Sequence, residues 1–140
     1  MKAMILDDNP TIRSMLERML HRRGYVVVTY ANPTECPLYM DEPRQCPTDD
    51  SCPSVIVTDY DMPFVNGVEF IEALHRKGCD CPHVALITGS LPDEPIMERI
   101  AKLGITFFQK PVHRDQIHGW LDRVESALLS TASNQVACQP

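Results

Sequence analysis

The stretch Val55-Ile56-Val57-Thr58-Asp59-Tyr60-Asp61-Met62-Pro63 sets four β-branched residues in a row and stops them with an acid. Branching at Cβ suits a pleated, packed strand. An apolar run without polar alternation is the pattern of a strand covered on both faces, as in parallel sheets. In open parallel sheets, ligands gather outside the carboxyl ends of the strands. Asp59 therefore stands where such a fold keeps its chemistry.

Working outward, the same punctuation recurs along the chain. Lys2–Leu6 is a short apolar run ending in Asp7-Asp8, and Tyr25–Tyr30 is β-rich. The third strand is expected over Ser54–Thr58. Val84–Ile87 ends in Thr88-Gly89-Ser90, and Ile105–Phe108 stops at Gln109-Lys110-Pro111. Helical periods lie between these runs. Asn9-Pro10 opens the first, which carries Ile12, Met15, Leu16, Met19 and Leu20 on one face and is closed by Gly24. Asn66-Gly67 marks a turn before Val68, Ile71 and Leu74, in a helix reaching about Lys77. Pro92-Asp93-Glu94-Pro95 opens a helix with Ile96, Ile100 and Leu103 inward, ended by Gly104. Ile117, Trp120, Leu121, Val124 and Leu128 form the last apolar face.

Strands alternating with helices imply an α/β fold: a doubly wound five-stranded parallel sheet with right-handed crossovers. One domain, residues 1–129, accounts for these elements, followed by a polar, aperiodic tail, 130–140, expected to be disordered. Residues 31–53 break the pattern, with five prolines (33, 37, 43, 47 and 53) and three cysteines. The prolines leave room for a turn or two of helix where a full one belongs, so the second helix is expected to be replaced or shortened, with a short helix around Leu38–Asp41.

The chain has 140 residues, 44% hydrophobic and 23% charged, which suits a single globular domain. A formal net charge of -6 argues against direct nucleic-acid binding, which needs clustered Lys and Arg. No apolar run is long enough for a membrane span and no signal-peptide pattern opens the chain, so a cytoplasmic protein is expected. Six cysteines in that compartment are reduced thiols or metal ligands rather than a disulfide framework.

Four of the five strands end in distinctive polar residues: Asp7 and Asp8, Asp59, Thr88 and Lys110. In a parallel sheet these ends share one edge, with strands about 4.8 Å apart. With strand order 2-1-3-4-5, the topological switch point falls between the first and third strands, where the three acids lie. Three carboxylates in one cleft repel one another unless a cation sits between them. Mg²⁺ favours hard oxygen ligands and commonly joins carboxylates to a phosphate. A carboxylate can also serve as a nucleophile and form an acyl phosphate.

Asp7-Asp8, Asp59 with Met62-Pro63 and Gly67, Thr88, and Lys110-Pro111 together resemble the receiver domain of two-component response regulators, over residues 1–129. The resemblance implies the flavodoxin-like receiver fold, with Asp59 as phosphoacceptor for a sensor histidine kinase or phosphotransfer protein. It implies Mg²⁺ held by Asp7, Asp8, Asp59 and the backbone carbonyl of Asp61, with Thr88 and Lys110 on the phosphoryl oxygens. Thr88 and Phe107 correspond to switch positions, and Asp61 and Ser90 to positions that modulate loss of the phosphoryl group. The resemblance further implies a switch that catalyses its own phosphorylation and dephosphorylation rather than a turnover enzyme. Its downstream protein target would be met through the face of the fourth helix, fifth strand and fifth helix.

Two other readings start from the same residues. A pseudo-receiver would bind partners without being phosphorylated. Asp59-Tyr60-Asp61 also resembles the Asp-x-Asp nucleophile motif of haloacid dehalogenase-type phosphatases, although those carry it on the first strand of a larger core. The cysteines depart from the receiver pattern. Cys52 leads into the third strand, and Cys79, Cys81 and His83 lead into the fourth. With Cys46 they make a candidate Zn²⁺ site at the amino edge of the sheet, roughly 17 Å from Asp59. The alternatives are that the thiols pack as small hydrophobes or that a redox-labile disulfide such as Cys52–Cys81 forms.

Overall fold

Five strands form one parallel sheet in the order β2-β1-β3-β4-β5: β1 Lys2–Leu6, β2 Val26–Tyr30, β3 Val55–Asp59, β4 His83–Thr88 and β5 Thr106–Gln109. The structure, a computed structural model, describes residues 1–40, 53–79 and 81–137. The helices are α1 Pro10–Arg22, α2 Pro37–Met40, α3 Gly67–Arg76, α4 Glu94–Leu103 and α5 Arg114–Ala137, with a 3-10 turn at Pro33–Glu35. The sheet and α1–α4 lie in one compact unit, Met1–Lys110; α5 lies in a second, Pro111–Pro140.

The central strands are buried on both faces, as their continuous apolar runs require. On one face Met4, Leu6, Ile56, Val84 and Leu86 form a core with Val68, Ile71 and Leu74 of α3 and Ile100 of α4. The alternate residues Ala3, Ile5, Val55, Val57, Ala85 and Ile87 are buried as well. Helix α1 lies beside β1 and β2, with Leu16, Met19 and Leu20 buried. Its start follows the sequence: the Asn9 side chain accepts the Thr11 and Ile12 N–H groups at 2.9 and 3.3 Å. Its end does too, because Gly24 takes a left-handed φ of +89° that a side chain would strain.

Strand β3 runs one residue further than its composition suggests. Asp59 pairs with Ile87 and the Tyr60 N–H donates to the Ile87 carbonyl at 2.8 Å, so the acid is the last strand residue rather than the first of the loop. Strand β4 extends by one residue at each end for the same reason, since pairing with β3 and β5 decides its ends.

Helix α2 has four residues, in line with the proline-limited segment. Its Tyr39 ring lies 5.7 Å from the Phe70 ring of α3, and Lys77 Nζ lies 5.5 Å from the Tyr39 centroid. The Lys77 ammonium also donates to the Tyr39 carbonyl. The rest of the expected insertion, residues 41–52, lies outside the described residues.

Helix α5 continues to Ala137, past the expected boundary at 129. Residues 130–137 lack an apolar face, but no Gly or Pro interrupts the chain there before Pro140. Within α5, Ile117, Trp120, Leu121 and Val124 are buried at the expected spacing. Among the described residues, no helix is long and apolar enough to cross a membrane.

Candidate functional site

Sheet register brings the acids together. Leu6 pairs with Thr58, so Asp7 follows next to Asp59 at the carboxyl edge, and Asp8 comes one residue later. One carboxylate oxygen from each of Asp7, Asp8 and Asp59 lies within 4.8 Å of the others. Asp7 and Asp59 are buried, and Asp8 is exposed. Two buried acids and one solvent-facing acid form a cleft with one open side.

Lys110 reaches this cleft from the end of β5. Its backbone N–H donates to the Thr88 carbonyl at 2.7 Å, which extends the β4–β5 pairing and fixes the lysine's origin. Its Nζ then donates to Asp59 Oδ2 at 3.3 Å. The other oxygen of Asp59, Oδ1, accepts the Asp61 N–H at 3.3 Å. Burial is the main influence on the Asp59 carboxyl, pushing its pKa up to about 6. The Asp7 charge adds to that shift, while Lys110 and the Asp61 N–H oppose it. Burial also raises the pKa of Asp7, against the pull of the Asn9 N–H and Lys110.

The donor set suits a hard divalent cation. Asp7 Oδ1 accepts the Asn9 N–H at 2.8 Å, whereas Asp7 Oδ2 is buried without a hydrogen-bond partner. A buried carboxylate oxygen in that state is costly unless something positive meets it. Asp7 and Asp8 beside Asp59 make an oxygen-rich, partly open site of the kind Mg²⁺ occupies.

The remaining predicted residues fall around this centre. Thr88 is fully buried at the end of β4, its hydroxyl donating to the Ser90 carbonyl at 2.7 Å and accepting the Ser90 N–H at 3.2 Å. Phe107 sits on β5 opposite Leu86 and is half-buried. Gly67 explains its own identity, because a Cβ there would lie 2.5 Å from the Asp59 carbonyl oxygen and 2.6 Å from Leu86 Cδ1. Only a glycine lets α3 begin so close to Asp59.

The zinc expectation does not find its geometry. Among the described residues, the acidic trio is the only group of three metal-ligating side chains close enough to share an ion. Cys79 and Cys81 are buried, and burial pushes the Cys81 thiol up to about 12. The Cys81 thiol donates to the His83 carbonyl at 3.5 Å. Burial lowers the pKa of the His83 imidazole. These thiols pack as apolar residues. Cys46 and Cys52 lie outside the described residues.

One participant escaped the sequence reading. Arg13, on the first turn of α1, donates from Nη1 to the backbone carbonyl of Asp7 at 2.7 Å. A basic residue one turn into the helix that follows an acid pair was the available signal, but nothing in the spacing says which way the side chain turns.

Comparison with known proteins agrees with this geometry. The family model described as the response regulator receiver domain matches residues 3–122. The chain is 32% identical over 130 residues to the C4-dicarboxylate transport transcriptional regulatory protein DctD of Pseudomonas aeruginosa, covering 91% of this chain but 25% of that protein. It is 23% identical to the probable chemotaxis protein CheY of Rhizobium etli, covering 91% of this chain and 94% of the relative. The crystallised chemotaxis protein CheY4 of Vibrio cholerae superposes with a TM-score of 0.66 at 25% identity, covering 88% of this chain and 97% of that one. The chain thus spans a quarter of DctD and nearly the whole of the CheY proteins. With the sheet order, the acid cleft and the match over residues 3–122, the chain belongs to the receiver domain family of two-component response regulators.

Proposed function

We propose that the protein is a phosphorylation-dependent signalling switch in which Asp59 accepts a phosphoryl group. The observation that carries this reading is the convergence on Asp59 of two further carboxylates and one lysine. Asp7, Asp8, Asp59 and the Asp61 backbone carbonyl would hold Mg²⁺, which when bound neutralises negative charge on the acids and the incoming phosphoryl group. A carboxylate oxygen of Asp59 attacks phosphorus as the P–N bond of a phosphohistidine donor breaks, and the imidazole leaves with the bonding pair. Such transfer needs alignment and charge neutralisation more than covalent help.

Lys110 would follow the charge and meet a phosphoryl oxygen, a role supported by its contact with Asp59. Thr88 has a hydroxyl committed to Ser90, and exchanging that partner for a phosphoryl oxygen would pull the β4–α4 connection toward the site. Phe107, half-buried on the neighbouring strand, would repack in response. Asp61 and Ser90 flank the acceptor and the hydroxyl, and would set the lifetime of the acyl phosphate. The donor is a sensor histidine kinase or a phosphotransfer protein of the cytoplasm, and the output is a contact with another protein. The domain proper is residues 1–129, with α5 continuing beyond it.

The test is intact-mass measurement after incubation with acetyl phosphate and Mg²⁺. The expected result is one phosphoryl group per chain, absent with EDTA and absent from Asp59→Asn. No adduct with acetyl phosphate or with any kinase donor would make the protein a binding module instead. Continuous release of phosphate from phosphomonoesters would make it a phosphatase.

A further inference from the structure

Asp7 has four backbone and side-chain polar groups, and three of them hold it in place. Its N–H donates to the Tyr30 carbonyl at 3.2 Å, extending the β1–β2 pairing by one residue. Its Oδ1 accepts the Asn9 N–H at 2.8 Å. Its carbonyl accepts from Arg13 Nη1 at 2.7 Å, at the short end for a guanidinium donor. The fourth group, Oδ2, is buried with no partner.

The Arg13 bond has no role in capping α1. Asn9 caps that helix, and the Arg13 backbone N–H already donates to the Asn9 carbonyl at 3.0 Å. The guanidinium instead ties the first turn of α1 back to the residue that follows β1. The Asp7 carbonyl lies beyond Leu6, the last residue of β1 paired with a neighbouring strand.

We propose that Arg13 is a positioning residue for the cation site, acting through the Asp7 backbone to hold Asp7 Oδ2 where a cation meets it. This rests on the Mg²⁺ reading above. Two effects oppose each other. Tethering Asp7 favours the cation, because a pre-placed ligand loses less freedom on binding. The positive charge of Arg13 repels it. The geometry decides for tethering: the guanidinium bonds the carbonyl, not the carboxylate. Residues that orient metal ligands without touching the metal typically change affinity by 10–100-fold when removed.

The test uses the full chain with two readouts. Calorimetric titration with Mg²⁺ should show Arg13→Met binding about 10-fold more weakly than wild type, and Arg13→Lys, which keeps a donor, losing less. Amide exchange at Asn9, measured with chelator and normalised to amides of β3, should quicken in Arg13→Met because its acceptor is no longer tethered. Unchanged Asn9 exchange overturns the positioning role whatever the Mg²⁺ result, as does equal or tighter Mg²⁺ binding by Arg13→Met. If wild type takes up no Mg²⁺ while Asn9 exchange still quickens in Arg13→Met, the metal reading fails and the tether stands.

Discussion

Replacing Gly67 by alanine adds one methyl group where the structure has no room for it. The new Cβ would lie 2.5 Å from the Asp59 carbonyl oxygen and 2.6 Å from Leu86 Cδ1. The oxygen belongs to Asp59 at the end of β3, and Leu86 is fully buried in the core with α3. Neither neighbour yields easily, so α3 and the loop before it must move outward by several tenths of an ångström. The Gly67 N–H bond to the Tyr60 carbonyl, 3.0 Å long, stretches with that movement. Overpacking of this kind costs about 1–3 kcal/mol.

Helix propensity pulls the other way, since alanine is favoured over glycine by about 1 kcal/mol inside a helix. Gly67 is the first residue of α3, where that gain is only partly realised. The clash wins. Urea denaturation should therefore show Gly67→Ala less stable by about 1–2 kcal/mol, and Gly67→Val less stable still. Phosphorylation by acetyl phosphate should slow in the same variants, because Asp61 rides on the displaced loop and donates to Asp59. A Gly67→Ala protein as stable as wild type would refute the reasoning that packing against the end of β3 dictates the glycine.

Two further outcomes follow from the same loop and cleft. Phe64 has φ +74°, is 86% exposed and centres a turn closed by the Val65 N–H on the Pro63 carbonyl at 2.9 Å, a rare and strained geometry for a bulky residue. Phe64→Gly should raise stability by about 1 kcal/mol in thermal melts, and a loss would show that the ring packs on something the fold needs. In chelated protein the raised pKa of Asp59 means that the folded state holds its proton more firmly than the unfolded chain does. Its penalty is absent below about pH 4, grows as pH rises toward 6 and stays level above, so Asp59→Asn should gain about 2–3 kcal/mol on wild type across that window. Mg²⁺ should shrink the gain, whereas a pH-independent difference between the two proteins would contradict the burial and charge argument.

The parts of this molecule governed by local pattern were readable from its residues. Val55–Thr58 announces a buried strand, Asn9-Pro10 a helix start and Gly24 its end, and each holds in the fold. The acids, Thr88 and Lys110 could be gathered because a parallel sheet places every strand end on one edge. What side chains do across a turn was less legible. Arg13 folds back on Asp7, and Phe64 adopts a left-handed backbone without the glycine or asparagine that usually signals one. The cysteines misled in the opposite way. Cys79, Cys81 and His83 are close in sequence and suitable in chemistry, yet among the described residues they do not converge on a shared ion position, and both thiols are buried. Helix α5 runs past its apolar stripe to Ala137, through residues that include no Gly or Pro after Gly119.

The central claim is that Asp59 itself forms the phosphoryl bond. Borohydride reduces an acyl phosphate to an alcohol, exchanging one side-chain oxygen for two hydrogens at the modified acid and nowhere else. Protein treated with acetyl phosphate and Mg²⁺, then reduced, digested and mapped by mass spectrometry, should carry that change at residue 59 alone. The change at Asp7 or Asp8, or at no acid in a protein that has gained a phosphoryl group, would contradict the account.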